Sequence, residues 1–551
     1  MELTDADKPL PEDQYPPTYF THPDHKAVIY GHIVLMVLSW VFVLPTAVML
    51  SLARSRYTLL VQFIFLALNA GGMLLGIVYN ASTPDLYPNN AHHKLGWIVT
   101  ITVVSQVAIG LLARVAGMMK RGELGHAAEH QGFIPVSTEA IHAHDSAFSG
   151  PYRRFSHDSG QGTELGSETL RSHSTSSPPG SPTVPSHPAH KEYHHDDEFE
   201  NEDLEPNVPT LKKAGKALSF VAKVAGKISD RFWKVLMFAY NFVDRIILIL
   251  GSIALCTGII TFGRFFESDK VFSGMAHWIK GGVFVLIGVF TLGRWAGSFG
   301  ELGWAWNIRP KKAGQKWCPS AEFVESAIIF FYGSTNVFLE HLGGWGGEWL
   351  PQDLEHVSIA VLFIGGGLCG MLIESARIRN LLNTNVIDIN HDDHSERDQL
   401  REPETYSCSL NPIPALVIIL TGLMMSSHTQ ESMISTMVHK QWGDLITAGS
   451  FARALSYVLT YLKPPKSIYP SRPPTELLTA FGLIAGGVLF MASASDTIDG
   501  MIHYQLDPMF MYTVTMGLVA LLMAWIILLV AIKGWAARRE AAGRSTGKAY
   551  V

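Results

Sequence analysis

The chain has 551 residues, 48% of them hydrophobic, and carries 42 Lys and Arg against 48 Asp and Glu, a net charge of −6. Of its four cysteines, Cys256 and Cys369 fall in apolar stretches and Cys318 and Cys408 in polar loops, so no structural disulfide is expected. No P-loop, Rossmann fingerprint or nucleophile elbow occurs, and nothing points to nucleic acid.

Residues 1–26 are polar and Pro-rich, without the basic and apolar regions of a signal peptide. Apolar stretches then recur near 27–53, 58–79, 94–117, 243–264, 275–297, 323–340, 356–375, 413–438, 441–462, 475–495 and 509–533. A hydrocarbon core of about 30 Å needs about 20 helical residues to cross it. The expected fold is therefore all-α, a polytopic membrane helical bundle of about 11 transmembrane helices. Of these, 323–340 is the shortest.

Basic residues follow the odd-numbered spans: Arg54 and Arg56, Lys120 and Arg121, Arg309, Lys311 and Lys312, Arg377 and Arg379, Lys463 and Lys466, Arg538 and Arg539. Lys223, Lys227 and Arg231 precede the fourth. The positive-inside rule places these loops and the C-terminus in the cytosol and the N-terminus outside or in a lumen. A plasma or endomembrane location fits equally. Asn80-Ala81-Ser82 is a glycosylation sequon close to the expected outer membrane face.

Polar segments divide the chain into an N-terminal three-span unit at 27–118, an insert at 119–209, a basic amphipathic segment at 210–231, an eight-span domain at 232–535 and a basic tail at 536–551. The insert is rich in Ser, His, Pro, Gly and acids and is expected to be disordered and cytosolic. Arg153-Arg154-Phe155-Ser156, Ser177-Pro178 and Ser181-Pro182 resemble basophilic and proline-directed kinase sites. From 211 to 228, Leu211, Leu218, Val221, Ala225 and Ile228 recur at helical spacing among lysines, a pattern for a helix lying on the cytosolic leaflet.

Histidines gather at one end of the expected spans. His32 lies just inside the first, and His92 and His93 open the third. Imidazole is a poor lipid-facing group, so such placement suggests haem or metal ligation, proton handling, or hydrogen bonding at the headgroup boundary. His341 and His356 bracket one loop, each preceded by a glutamate. His428 and His439 stand eleven residues apart, which on a continuous helix puts them on nearly one face, with His428 the deeper, about 15 Å from the helix end. His341, His356, His428 and His439 are the expected metal ligands. Imidazole with carboxylate suits zinc, iron or copper(II). Arg453 falls mid-span and needs a partner, for which Glu374, Glu325 and Asp444 are candidates, and Asp244-Arg245 reads as an interface pair.

Gly31-His32-Ile33-Val34-Leu35-Met36-Val37-Leu38-Ser39-Trp40, with Pro45 and Arg54 beyond, resembles a ligand helix of the cytochrome b-561 family. His93-Lys94-Leu95-Gly96-Trp97, with Gln106 and Gly110, resembles the helix that carries the partner ligand. That resemblance implies axial ligation of a b haem by His32 and His93, with His92 the alternative one helical step away, and electron transfer from a donor such as ascorbate toward ferric iron or monodehydroascorbate. The helix between them departs from the family: it has no histidine, only Gln62 and Asn69, so one haem site at most is implied. The chain as a whole resembles the fungal YTP-one-like membrane protein family, through Asn336 to His341, Asp353 to Ala360, Gly367 to Glu374, Ser427-His428 and His439.

The leading expectation is a haem b electron-transfer protein, metal-reductase-like, working with a small-molecule electron donor and a metal acceptor. The alternatives are a membrane protein that binds or transports a transition metal without haem, and a non-catalytic scaffold whose insert is phosphorylated by kinases.

Overall fold

The computed structural model describes residues 8–9, 15–130, 229–268, 270–311, 318–337, 347–349, 351–385, 402–428 and 430–547. Among them the long elements are α-helices: α1 Lys26–Leu52, α2 Thr58–Ser82, α3 Ala91–His130, α4 Asp230–Gly263, α5 Lys270–Ala296, α6 Ala321–Asn336, α7 Pro351–Glu374, α8 Ala376–Leu382, α9 Ile413–Ser426, α10 Met433–Leu462, α11 Pro474–Ala492, α12 Ser495–His503 and α13 Pro508–Gly547. Among the described residues, nine helices (α1–α5, α7, α10, α11 and α13) are long and apolar enough to cross a membrane. The shorter α6 and α9 stand where the sixth and eighth spans were expected. Large apolar side chains such as Phe238 and Leu521 are 72% and 70% exposed, a liability in water and the expected outward face in lipid.

The helix ends differ from expectation in instructive places. The expected eighth span breaks after Ser426. There the Ser426 and Ser427 hydroxyls donate back to the Leu423 carbonyl, and Ser432 caps the next helix by accepting from the Ser435 N–H. α3 continues as helix to His130, into the segment expected to be disordered. The rest of that insert and nearly all of the amphipathic segment lie outside the described residues.

Among the described residues, two of the four clusters of buried side chains matter most for placing the sites. Leu44 and Val48 of α1, Phe65 of α2, Val103 and Val107 of α3 and Ile247 of α4 form the first. α4 thus completes a four-helix group with the first three helices. Asp244 accepts hydrogen bonds from Ser51 of α1 (2.6 Å) and Gln106 of α3 (2.6 Å), linking α4 to both helices, while Arg245 donates to the Asn241 carbonyl within α4. Pro45 has no N–H to donate, which frees the Val41 carbonyl four residues earlier. The helix passes through a π-turn at Leu38–Val43, and the Trp525 indole of α13 donates to that carbonyl at 2.9 Å.

The second core joins Ile418 of α9, Trp442 and Ile446 of α10 and Leu483, Leu489 and Phe490 of α11. α11 is its central helix, with most of its length buried. Close approach of α11 to α5 requires glycine: a Cβ on Gly487 would stand 2.6 Å from the Gly281 carbonyl oxygen and 2.8 Å from the Val285 nitrogen. These are backbone atoms that cannot step aside. Gly487→Val is therefore expected to destabilise the bundle by about 1–3 kcal/mol or more, as overpacking does. Thermal unfolding in detergent followed by tryptophan fluorescence checks this, with Gly517→Val, whose added Cβ meets nothing within 4 Å, as the control.

Candidate functional site

At one end of the four-helix group, α1, α2, α3 and α4 line a half-open cavity of about 500 Å³. Its walls are mostly apolar and aromatic, including Met36, Trp40, Trp97 and Phe262, with Tyr19, Asn80 and Asn90 among the polar groups. His32 and His92 both line it, with ring centres 6.4 Å apart and planes at 84°.

Glycine makes room for each imidazole. A Cβ on Gly76 would lie 2.8 Å from His32 Nδ1, and one on Gly258 would lie 3.1 Å from His92 Cε1. The small-xxx-small pair Gly72 and Gly76 therefore packs α2 against α1 and seats His32. Hydrogen bonds then set the tautomers. His32 Nδ1 faces the Gly72 carbonyl at 2.8 Å and must donate to it. His92 Nδ1 lies 3.2 Å from Thr257 Oγ1, whose own proton is directed to the Ala254 carbonyl at 2.9 Å, so Nδ1 donates there as well. With both protons on Nδ1, each Nε2 keeps its lone pair, the form in which imidazole binds a metal.

His93 also borders the cavity but is exposed, and the neighbour that the structure gives His32 is His92. Gln62 and Asn69 of α2, the polar residues on the helix without histidine, are buried. Asn69 accepts from Trp40 Nε1 at 2.8 Å and donates to Thr100, tying α1, α2 and α3 together beneath the cavity.

A second imidazole pair stands in the C-terminal helices. His277 of α5 and His439 of α10 have ring centres 5.9 Å apart at 90°. Their Nδ1 atoms donate to the carbonyls one turn earlier, Ser273 at 2.8 Å and Ser435 at 2.9 Å. Phe490 and Trp442, themselves stacked at 4.1 Å, back this pair. Again both Nε2 atoms are left with lone pairs. His277 is not among the ligands expected from the sequence; its carbonyl partner one turn earlier and the facing His439 come together only with the helices assembled.

The expected C-terminal ligand set is rearranged. His428 follows the end of α9 and His439 lies inside α10, so the two do not share a helix face. His428 pairs instead with Glu355 at 3.4 Å. His356 is in the second turn of α7, and His341 lies outside the described residues. Among the described residues no group of three or more His, Cys, Asp or Glu could hold a metal ion.

Fold and sites define a polytopic helical membrane protein with two paired-imidazole positions. Residues 250–534 match the family model described as protein YTP1-like, C-terminal, and residues 13–116 match a domain of unknown function, DUF2427. An uncharacterized membrane protein of Schizosaccharomyces pombe is 31% identical over 525 residues, covering 93% of this chain and 94% of its own. An uncharacterized membrane protein of Saccharomyces cerevisiae is 41% identical over 317 residues, 54% of this chain and 47% of the relative, and Protein YTP1 of the same yeast is 25% identical over 273 residues, 49% of each. The chain belongs to the YTP1-like family of membrane proteins. No solved structure matches it.

The hydrogen bonds make a direct prediction. In the ¹⁵N NMR spectrum of histidine-labelled protein, His32 and His92 are expected as Nδ1–H tautomers with unprotonated Nε2. Thr257→Val should release His92 into a tautomer mixture and leave His32 unchanged.

Proposed function

We propose that the N-terminal four-helix group binds one b-type haem between His32 and His92, and that the chain transfers electrons at that end of the membrane. The observation that carries this reading is the pairing of two imidazoles, each with Nδ1 engaged and Nε2 free to ligate, inside one apolar cavity. With metal–nitrogen bonds of about 2 Å, two rings sharing one metal stand roughly 6 Å apart, close to the 6.4 Å observed. A cavity of about 500 Å³ lies in the range of cofactor sites, roughly 300–1,000 Å³. Its apolar and aromatic lining suits a macrocycle, and Tyr19, Asn80 and Asn90 supply donors for carboxylates.

When bound, the haem would supply one-electron chemistry. The chain's own residues would hold it: His32 and His92 as ligands, Gly72 O and Thr257 Oγ1 to orient them and raise their basicity, and Trp40 and Trp97 to exclude water. One such site does not carry an electron through the whole membrane, so donor and acceptor would meet it from the same side. A small-molecule reductant and an oxidised metal ion are the partners this chemistry suits. With the basic loops in the cytosol, that side is extracellular or lumenal, and the kinase-like sequences of the insert are cytosolic.

A second reading rests on the other pair. His277 and His439 supply two nitrogen donors of the kind that suits zinc, iron or copper(II), without a third His, Cys, Asp or Glu beside them among the described residues. This supports metal-ion binding in the C-terminal helices, with or without haem in the first group.

A reduced-minus-oxidised absorption spectrum of the purified protein distinguishes these readings. A b-type difference band is expected in the parent, lost in His32→Ala and His92→Ala and retained in His93→Ala. A haem-replete preparation with no such band overturns the haem reading, and a band lost in His93→Ala but kept in His92→Ala overturns the ligand assignment.

A further inference from the structure

At the end of the C-terminal helices opposite the imidazole pair, the arginines fall into two groups. Arg294 of α5 and Arg453 of α10 are buried and paired. Arg294 donates to Glu322 at 2.8 Å and Glu325 at 3.1 Å, both on α6. Arg453 donates to Glu325 at 3.0 Å, to Thr291 at 2.7 Å and to Glu476 of α11 at 3.1 Å. Glu325 was an expected partner of Arg453; Glu476 was not. Asp444 is exposed, and Glu374 accepts instead from the Ser320 and Ser409 hydroxyls. Arg472, in the loop before α11, and Arg538, in the second half of α13, are different. Both are exposed, and neither forms an ion pair with a carboxylate among the described residues.

These two arginines line one half-open groove of about 840 Å³, formed by the end of α5, the loop before α11 and the second half of α13. Arg539 is a third guanidinium on its wall, and no carboxylate lines it. Along α13 the wall changes character with depth. Ile527, Val530, Gly534 and Arg538 recur at three- and four-residue intervals, which is one stripe of a helix. At 1.5 Å per residue that stripe runs about 16 Å, apolar within the span and cationic at its end. Trp295 of α5 and Trp535 of α13 add the amphipathic rings that settle at the headgroup level of a bilayer.

Contacts around the groove fix its charged end. Glu540 pairs with Arg56 at 3.2 Å, so its charge is directed away from the groove. Tyr57 stacks on Trp535 with ring centres 6.2 Å apart, and Arg539 stands over both rings at 5.5 and 5.4 Å. The loop that carries Arg472 is tied to the loop after α5. Asn307 donates to the Ile468 carbonyl at 2.8 Å, the Ile308 N–H to the Ser467 carbonyl at 2.8 Å, and the Ser471 hydroxyl to the Trp306 carbonyl at 2.7 Å. We propose that this groove binds an anionic phospholipid of the adjoining leaflet, its phosphate taken by Arg472 and Arg538 and an acyl chain laid along the apolar stripe. A guanidinium presents N–H donors in a fork that matches phosphate oxygens. The positive-inside rule puts this end in the cytosol, the side on which a bilayer carries its anionic lipid. A free phosphate would leave the apolar stripe unused, and a neutral lipid would leave the arginines without a counter-charge.

Native mass spectrometry of the full chain in detergent tests this, with phosphatidic acid and phosphatidylcholine of the same chain length as probes. The parent is expected to retain one phosphatidic acid in clear preference to phosphatidylcholine. Arg472→Gln and Arg538→Gln should each weaken that binding by about five-fold. Gly534→Phe should abolish it with every charge in place, because a Cβ there meets nothing within 4 Å and the ring would fill the groove. Arg377→Gln, at an exposed arginine of α8 outside the groove, should leave it unchanged. Arg472, Gly534 and Arg538 are all exposed, so these substitutions are read on a folded chain. Excess glycerol phosphate should not displace the lipid. Equal retention of the two lipids, an equal loss in Arg377→Gln, or full binding by Gly534→Phe overturns the proposal. Displacement by glycerol phosphate also overturns it, in favour of a site for soluble phosphate.

Discussion

A bilayer offers no water to a buried polar side chain, so each imidazole, amide, guanidinium and carboxylate between these helices needs a partner within the chain. Gly72 O holds His32, Thr257 holds His92, and Ser273 O and Ser435 O hold His277 and His439. Arg294 and Arg453 hold three glutamates from two helices. Hydrophobic burial contributes little specificity among helices in lipid, which is as apolar as leucine. These polar ties and the glycine contacts therefore set which helices touch and at what height.

The same ties separate the chemistry by position. The paired imidazoles lie where α3, α5 and α10 begin, and the arginine–glutamate network lies where α5 ends and α6 and α11 begin. Glycine serves both ends, but differently. Between α5 and α11 it lets backbones meet, as at Gly281 and Gly487. Around the cavity it makes room for rings, as at Gly76 and Gly258. A carbonyl or hydroxyl reaches Nδ1 in the same step, so packing and tautomer choice are one event at His32.

Most of the fold was legible in the sequence, because a long apolar stretch in a membrane has few alternatives to helix. The break at Ser426 was missed because hydropathy carries through a short polar run whose Ser432 is a helix cap rather than an interior residue. That error put His428 on the helix of His439. In the N-terminal group the structure sets His92 rather than His93 beside His32, a choice of about 100° of helix rotation that spacing alone does not make. His277 and Glu476 were missed as members of their sites for a common reason. Each acquires its role from a residue on another helix, His439 and Arg453, and only the assembled bundle brings them together.

If the cavity lined by His32 and His92 holds haem, as proposed, cofactor content per chain reveals it. The full-length protein, purified in native lipid, should yield about one haem b per chain by pyridine haemochrome assay, with iron to match by elemental analysis. A chain that contains no haem, and instead a stoichiometric transition metal or none, rules out haem ligation by His32 and His92.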